Sequence, residues 1–450
     1  MIKKLKWKNY KALGNLELDF TKDDGTAYNT IILAGENGAG KTTVLESLAT
    51  VLDCGPNTVF EYIDYDISGT TYKAIPDSRS GNAGFYKRVD VASGNEEAVN
   101  SGRNTNYNLI DEDIKDFRHY GFAYSKARSG FKTDPVKSST TMQIDAEKFE
   151  PDNYGSFTHI KQLLIDIDAQ DSSEWMKKSN AGGLDDQKYE DFKKASKGYR
   201  FEKAFNDFFD DVRYDGIDTE DPDEKKVLFT KHGQSIAVDD LSTGEKQIVF
   251  RGAHLLRNTK SIAGGIVMID EPELSMHPKW QKKMLDYYRG LFTSDDNATQ
   301  SVQMIVATHS EYVIQSALED RDNVLVIVLT DENGTISSRK VTAPNVLPTI
   351  TSAETNYLAF GVPSKDYHIE LYAYLQMKTN NHTIESCDAY IAQQQQYDRT
   401  KHEKFDGYRN HNYQTLPTYI RNAIDHPDSG RSYTEEEFKA SIELLIELCR

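Results

Sequence analysis

Cysteine is scarce in this 450-residue chain: Cys54, Cys387 and Cys449 are scattered, odd in number and without a CxxC pair. That excludes a disulfide framework, supplies no zinc-binding spacing, and suits a reducing, cytoplasmic compartment. No apolar run approaches the ~20 residues that cross a bilayer. The opening MIKKLKWKNYKALGNLELDF spreads charge where a secretory signal needs an apolar centre. A soluble protein with no membrane partner is expected. Positive charge is also in deficit, with 53 Lys and Arg against 71 Asp and Glu and a net charge of −18. Long-range attraction to nucleic acid is therefore missing, and any such contact requires a local basic patch. Sustained heptads and internal repeats are absent too, which leaves no long coiled-coil tether.

The length allows two or three cores, and the patterning divides accordingly. Ile2, Leu5, Trp7 and then Leu16, Leu18, Phe20 recur with a period of two, predicting two strands. Ile31-Ile32-Leu33-Ala34 is continuously apolar, as a strand buried on both faces would be. A helix from near Lys41 follows, with Val44, Leu45, Leu48 and Val51 along one side. From about residue 55 to 235 the chain reads as polar, tyrosine-rich and irregular, with a loop over 93–107 and helices returning between 156 and 215. Regular α/β alternation resumes over 241–330, with strands at Ile266–Ile269, Met304–Ala307 and Val324–Leu329. Asp331-Glu332-Asn333-Gly334 then signals a hairpin turn. Beyond Val346 the pattern is helical, with Pro363 and Pro417 as breaks and an amphipathic last helix through Phe438, Ile442, Leu445, Ile446 and Cys449.

Gly35-Glu36-Asn37-Gly38-Ala39-Gly40-Lys41-Thr42 satisfies the P-loop pattern GxxxxGK[ST] between a buried strand and a helix. Gly35, Asn37, Gly38, Ala39, Gly40, Lys41, Thr42 and Thr43 are thus the candidate ATP-binding residues. Glycines let backbone N–H groups curl around phosphates, and the helix N-terminus adds favourable partial charge. Lys41 is expected to reach the β- and γ-phosphates and the Thr42 hydroxyl to ligate Mg²⁺. Ile266–Asp270 matches a Walker B strand, carrying Asp270 to the Mg²⁺ shell and Glu271 to the place of a general base. Leu241-Ser242-Thr243-Gly244-Glu245 admits two readings that can hold together: a capping box on Ser242 and Glu245, and a phosphate clamp at a helix start. His309, after a third apolar strand, should share an edge with Asp270 and Lys41, where α/β sheets bind ligands.

In this order the motifs resemble those of ABC ATPases, with Ser242, Gly244 and Glu245 as the signature and His309 as the γ-phosphate switch. The resemblance covers roughly 1–60 and 235–345 and assigns no residue to the Q-loop. Asn9-Tyr10-Lys11-Ala12-Leu13 looks like the opening of SMC, RecF and Rad50 heads, and Pro272–Gln281 is similar to the D-loop of the OLD-like branch, with Ser275 where that branch has His. Such heads sandwich ATP between two copies, so a homodimer or a higher oligomer of dimers is implied. Thr355–Gly361 and Leu416–Pro427 look like the PtuA ATPase family of Septu-type and retron-associated phage defence, which is paired with an HNH nuclease, PtuB. An HNH partner is thus implied, with nucleic acid engaged through the complex. Two alternatives stay open: a RecF-like DNA-repair ATPase, and a HEPN-like ribonuclease in which Arg421 and His426 form an Rx₄H pair. Basic and aromatic residues interleave over 118–137, a possible nucleic-acid face or a solvated edge.

The expected architecture is α/β: an ABC ATPase head, made of a P-loop NTPase sheet lobe and a helical lobe, with an α-helical C-terminal extension. Residues 1–110 and 256–345 form lobe I, 111–255 a helical lobe II ending in the signature, and 346–450 a helical partner-binding region.

Overall fold

The computed structural model describes residues 1–81, 84–100, 110–145, 157–182, 186–293, 299–342, 345–408 and 411–450. Contacts divide the chain into two compact units, Met1–Arg339 and Lys340–Arg450.

The first unit opens with β1 (Ile2–Trp7) and β2 (Glu17–Asp19), followed by the wholly buried β3 (Thr30–Gly35). α1 (Lys41–Leu52) buries Val44, Leu45, Leu48 and Val51, as its spacing predicts. The segment read as irregular is instead a run of antiparallel strands: β4 (Phe60–Ile67), β5 (Thr70–Ile75), β6 (Phe85–Asp90) and β7 (Glu96–Asn100). Tyrosine explains the error, since aromatic side chains suit a pleated surface and Tyr65 and Tyr86 are buried here. Ser68 and Gly69, at φ 51° and 80°, make the tight turn that joins β4 to β5. Of the loop expected over 93–107, 96–100 is strand β7, and 101–107 lie outside the described residues.

β8 (Phe122–Ser125), α2 (Thr158–Gly182), α3 (Asp186–Ala195) and α4 (Tyr199–Phe208) come next, then β9 (Val212–Asp218), β10 (Lys226–Lys231) and β11 (Gln234–Ala237). α5 (Thr243–Lys246), a π-helical turn over Gln247–Arg251 and α6 (Gly252–Leu256) run on continuously. The unit closes with β12 (Ile266–Asp270), α7 (Pro278–Gln281), α8 (Met284–Gly290), β13 (Gln303–Thr308), α9 (Glu311–Glu319), β14 (Val324–Glu332) and β15 (Thr335–Lys340). Among the described residues the central sheet has the order β15-β14-β3-β13-β12-β8, parallel from β14 to β8. The parallel strands are almost entirely apolar and buried, as strands covered on both faces must be. Asn333 and Gly334, at φ 56° and 84°, form the turn expected between β14 and β15.

A second sheet, β2-β1-β4-β5-β6-β7, is fastened to the first by Gln303, whose side-chain amide bonds both the N–H and the carbonyl of Ile2 at 2.6 and 2.8 Å. The span 111–255 departs from a purely helical lobe in two ways. β8 pairs with β12 inside the central sheet, and β11-β10-β9 make a small sheet of their own beside α2 and α4. The architecture is α/β: a mostly parallel sheet with the P-loop sequence after β3, and a second lobe of mixed helices and strands.

The second unit contains α10 (Ser352–Phe360), α11 (Lys365–Lys378), α12 (Ile384–Ala392), α13 (Arg399–His402), the hairpin β16 (Glu403–Tyr408) and β17 (His411–Thr415), α14 (Leu416–Asp425) and α15 (Glu435–Cys449). Its core gathers Tyr367, Leu371, Leu375, Ile391, Ile420 and Ile442. The extension is helical as expected, with the one hairpin added to its helices among the described residues. Pro363 separates α10 from α11, but Pro417 sits in the first turn of α14 and starts that helix, where a missing N–H costs nothing. No helix among the described residues is long and apolar enough to cross a membrane.

Candidate functional site

Parallel order brings the C-terminal ends of β3, β13 and β12 side by side, with Thr308 level with Ala34 and Asp270 level with Ala307. At the first of these ends the P-loop has little spare room. A Cβ on Gly35 would lie 2.3 Å from the Leu329 carbonyl oxygen, and one on Gly40 would lie 2.6 Å from Leu13. Gly35, Gly38 and Gly40 all have positive φ, so side chains are disfavoured by conformation at all three and by space at Gly35 and Gly40. Lys41 is buried and donates to the Gly35 and Glu36 carbonyls at 2.8 and 2.9 Å. Burial pulls its pKa down, and the carboxylates of Glu271, Asp270 and Glu273 pull the other way.

The Thr42 hydroxyl donates to Asp270 Oδ2 at 2.9 Å, joining positions 228 residues apart in the chain. Asp270 Oδ1 is buried with no hydrogen-bond partner. Burial pushes the Asp270 carboxyl up to about 6, against the lowering effect of the Thr42 bond. A buried, unpartnered carboxylate oxygen beside a threonine hydroxyl is a donor pair suited to a hard divalent cation.

The chain turns sharply after Asp270. Glu271 has φ 44°, a left-handed conformation costly for a residue with a Cβ, and its N–H donates to the Ala307 carbonyl at 2.9 Å. The turn leaves Glu271 Oε1 3.7 Å from His309 Nδ1. Glu273, which the motif reading quoted but gave no role, organises the segment that carries His309. Its Oε1 accepts from the Thr308 hydroxyl at 2.6 Å and from the N–H groups of His309 and Ser310 at 3.0 and 3.2 Å, and lies 3.4 Å from His309 Nδ1.

Ser242 and Glu245 form the capping box in full. Glu245 Oε2 accepts from the Ser242 N–H and hydroxyl at 2.8 and 2.7 Å, while Oε1 accepts from Lys231 at 2.6 Å. Burial opposes ionisation of Glu245, but the Lys231 and Ser242 bonds outweigh it and lower its pKa. Gly244 packs against the segment after Walker B: a Cβ there would meet the Ser275 carbonyl oxygen at 3.1 Å and the Trp280 ring at 3.2 Å.

The other candidates have the following surroundings among the described residues. Arg421 is held by Asp425 at 2.6 Å and Asn422 at 3.0 Å, and His426 is exposed at the end of α14. The basic positions of 118–137 do not share one role: Arg118 is buried against Asp116, Arg128 lies over the Phe157 ring, and Lys137 pairs with Asp223. Arg251, Gln247 and Ser125 surround the Walker B end and carried no motif signal. The arginine inside an apolar helical stretch, Ile248-Val249-Phe250-Arg251, was the cue available.

Residues 31–315, which hold the P-loop, the signature, Walker B and His309, match the family described as "AAA domain, putative AbiEii toxin, Type IV TA system". The chain belongs to that family. Among its curated relatives, the Septu protein PtuA of Bacillus thuringiensis is 24% identical over 366 residues, covering 77% of this chain and 80% of the relative. The Retron Vc95 probable ATPase of Vibrio cholerae serotype O1 biovar El Tor is 24% identical over 386 residues, covering 70% and 72%. A solved SMC head bound to the C-winged helix domain of ScpA aligns with TM-score 0.41 and 15% identity over 75% of this chain and 97% of that one. The family match and these curated relatives make this family member an ATPase similar to PtuA and the retron ATPases.

Proposed function

We propose that this ATPase binds ATP with Mg²⁺, closes as a pair of heads around it, and thereby gates a partner HNH nuclease in antiviral defence. The Thr42–Asp270 hydrogen bond carries the first part of this reading, because it joins the P-loop and Walker B on the two groups that would hold the cation. Mg²⁺ bound there would offset charge on the β- and γ-phosphates. The P-loop N–H groups and Lys41 hold the phosphates, Glu271 orients a water and accepts its proton, and His309 contacts the γ-phosphate from the adjacent strand end. Ser242 and Gly244 act on the nucleotide of the opposite head. The nuclease gating is supported by the PtuA relatives and by the second compact unit, which offers a separate body for a partner.

Two substitutions test the ATPase part. Lys41→Ala removes the charge facing the phosphates, and charged hydrogen bonds contribute about 1.5–3 kcal/mol each, so ATP affinity should fall on the order of a hundredfold. Unchanged affinity by calorimetry would remove the P-loop assignment. Glu271→Gln keeps shape and loses the base. It should bind ATP normally, hydrolyse it slowly and accumulate as a closed dimer in size-exclusion chromatography. Hydrolysis at the wild-type rate would show that another group orients the water.

A further inference from the structure

Glu271 is set in a conformation that its own sequence disfavours, at φ 44°, so something outside the strand must hold it there. One side chain reaches that peptide from the signature segment. Arg251 closes the π-helical turn Gln247–Arg251 and is 1% exposed. Its NH1 donates to the Glu271 carbonyl at 3.0 Å and its NH2 to the Asp270 carbonyl at 2.7 Å. Nε donates to the Ser125 hydroxyl at 2.8 Å, NH2 also to the Ser125 carbonyl at 3.1 Å, and NH1 also to Gln247 Oε1 at 3.4 Å. Every acceptor is a neutral oxygen, and three are main-chain carbonyls at the ends of two neighbouring strands, β8 and β12. Gln247 in turn donates to the Arg128 carbonyl at 2.6 Å, pinning the segment that leaves β8.

We propose that Arg251 is a positioning residue for hydrolysis: it fixes the left-handed turn at Glu271, and so ties the aim of the general base to the signature segment. The guanidinium suits this task because its five N–H donors lie in one plane and need no deprotonation, whereas a lysine ammonium has three donors on one atom. The π-helical turn belongs to the same device, since such turns insert a residue into a helix and recur at functional sites. Motion of the signature helix when a second head closes on it would be passed to the Glu271 peptide through one rigid group. The inference rests on Glu271 being the base.

A double-mutant cycle tests it. Arg251→Lys keeps the charge and loses the planar chelate. Single-turnover ATP hydrolysis should slow at least tenfold, with ATP affinity within about twofold of wild type. In a Glu271→Gln background the same change should alter residual hydrolysis less than twofold, because the aim of a missing base no longer matters. Where Arg251→Lys lowers the melting temperature enough to confuse the comparison, Ser125→Ala carries the same cycle. It removes only the Nε acceptor, and should slow the wild type severalfold and the Glu271→Gln protein not at all. Slow Glu271→Gln with fully multiplicative losses overturns the role of Arg251 alone, as does loss of ATP affinity in step with rate. Wild-type hydrolysis by Glu271→Gln overturns the base and this inference together.

Discussion

Asp270 and Glu271 are adjacent carboxylates given different tasks by different backbones. Asp270 completes a strand and meets Thr42; Glu271 reverses into the left-handed region and meets His309 instead. A second contrast of environment sets a pH limit on the C-terminal unit. His368 is fully buried, bonded through Nε2 to Ser441 at 2.8 Å, and burial pushes its pKa from 6.5 down to about 3. Between those values the unfolded chain takes up a proton that the folded chain refuses, so stability is complete above 6.5 and is lost as pH falls toward 3. Acidification from neutrality to pH 5 should cost about 2 kcal/mol from this group, or several degrees of Tm. His368→Gln, which can still reach Ser441, should show a shallower acid shift in calorimetry; equal shifts would clear His368 of the effect. No sequence pattern announced this residue, because its shift comes from packing between α11 and α15. The P-loop, Asp270 and His309 were legible because local pattern fixes their backbone. Glu273 and Arg251 were not, because their partners lie on other strands.

Among elements, the parallel strands and the helix after the P-loop were legible from apolar runs and spacing, since both are dictated by burial. β4 to β7 were harder to read: β4 buries Phe60, Ile63, Tyr65 and Ile67, but β5 buries only Ala74, β6 Tyr86 with Arg88, and β7 only Val99, so the apolar alternation fades after β4. At the signature element Ser242 caps α5, and the proposed phosphate clamp would use the same capped end. Ser242→Arg separates them. Loss of the cap costs about 1 kcal/mol, so Tm should fall by a few degrees and ATP binding by the single head should persist. A guanidinium placed at the opposing γ-phosphate should instead block ATP-driven closure. If cysteine pairs placed across the head interface still cross-link with ATP in this variant, the segment is a cap and nothing more.

For the whole molecule, the chain divides at Arg339 and Lys340, and the 111-residue second unit has its own core. The length and the helical C-terminal pattern pointed to such an extension, but its hairpin was invisible because β16 and β17 carry no clear alternation. What this unit is for decides between the remaining functions. In the gating reading it docks a nuclease, and the purified chain alone should not cleave DNA or RNA with Mg²⁺ or Mn²⁺ present. In the ribonuclease reading Arg421 and His426 act together, yet Arg421 already spends its guanidinium on Asp425 and Asn422. A stabiliser of a charged transition state needs its donors aimed at the substrate. Incubating the lone protein with labelled RNA and with plasmid DNA, with and without ATP, should therefore leave both intact, and His426→Ala should change nothing. RNA degradation that His426→Ala abolishes would reverse the assignment, making the C-terminal unit the effector and the ATPase head its regulator.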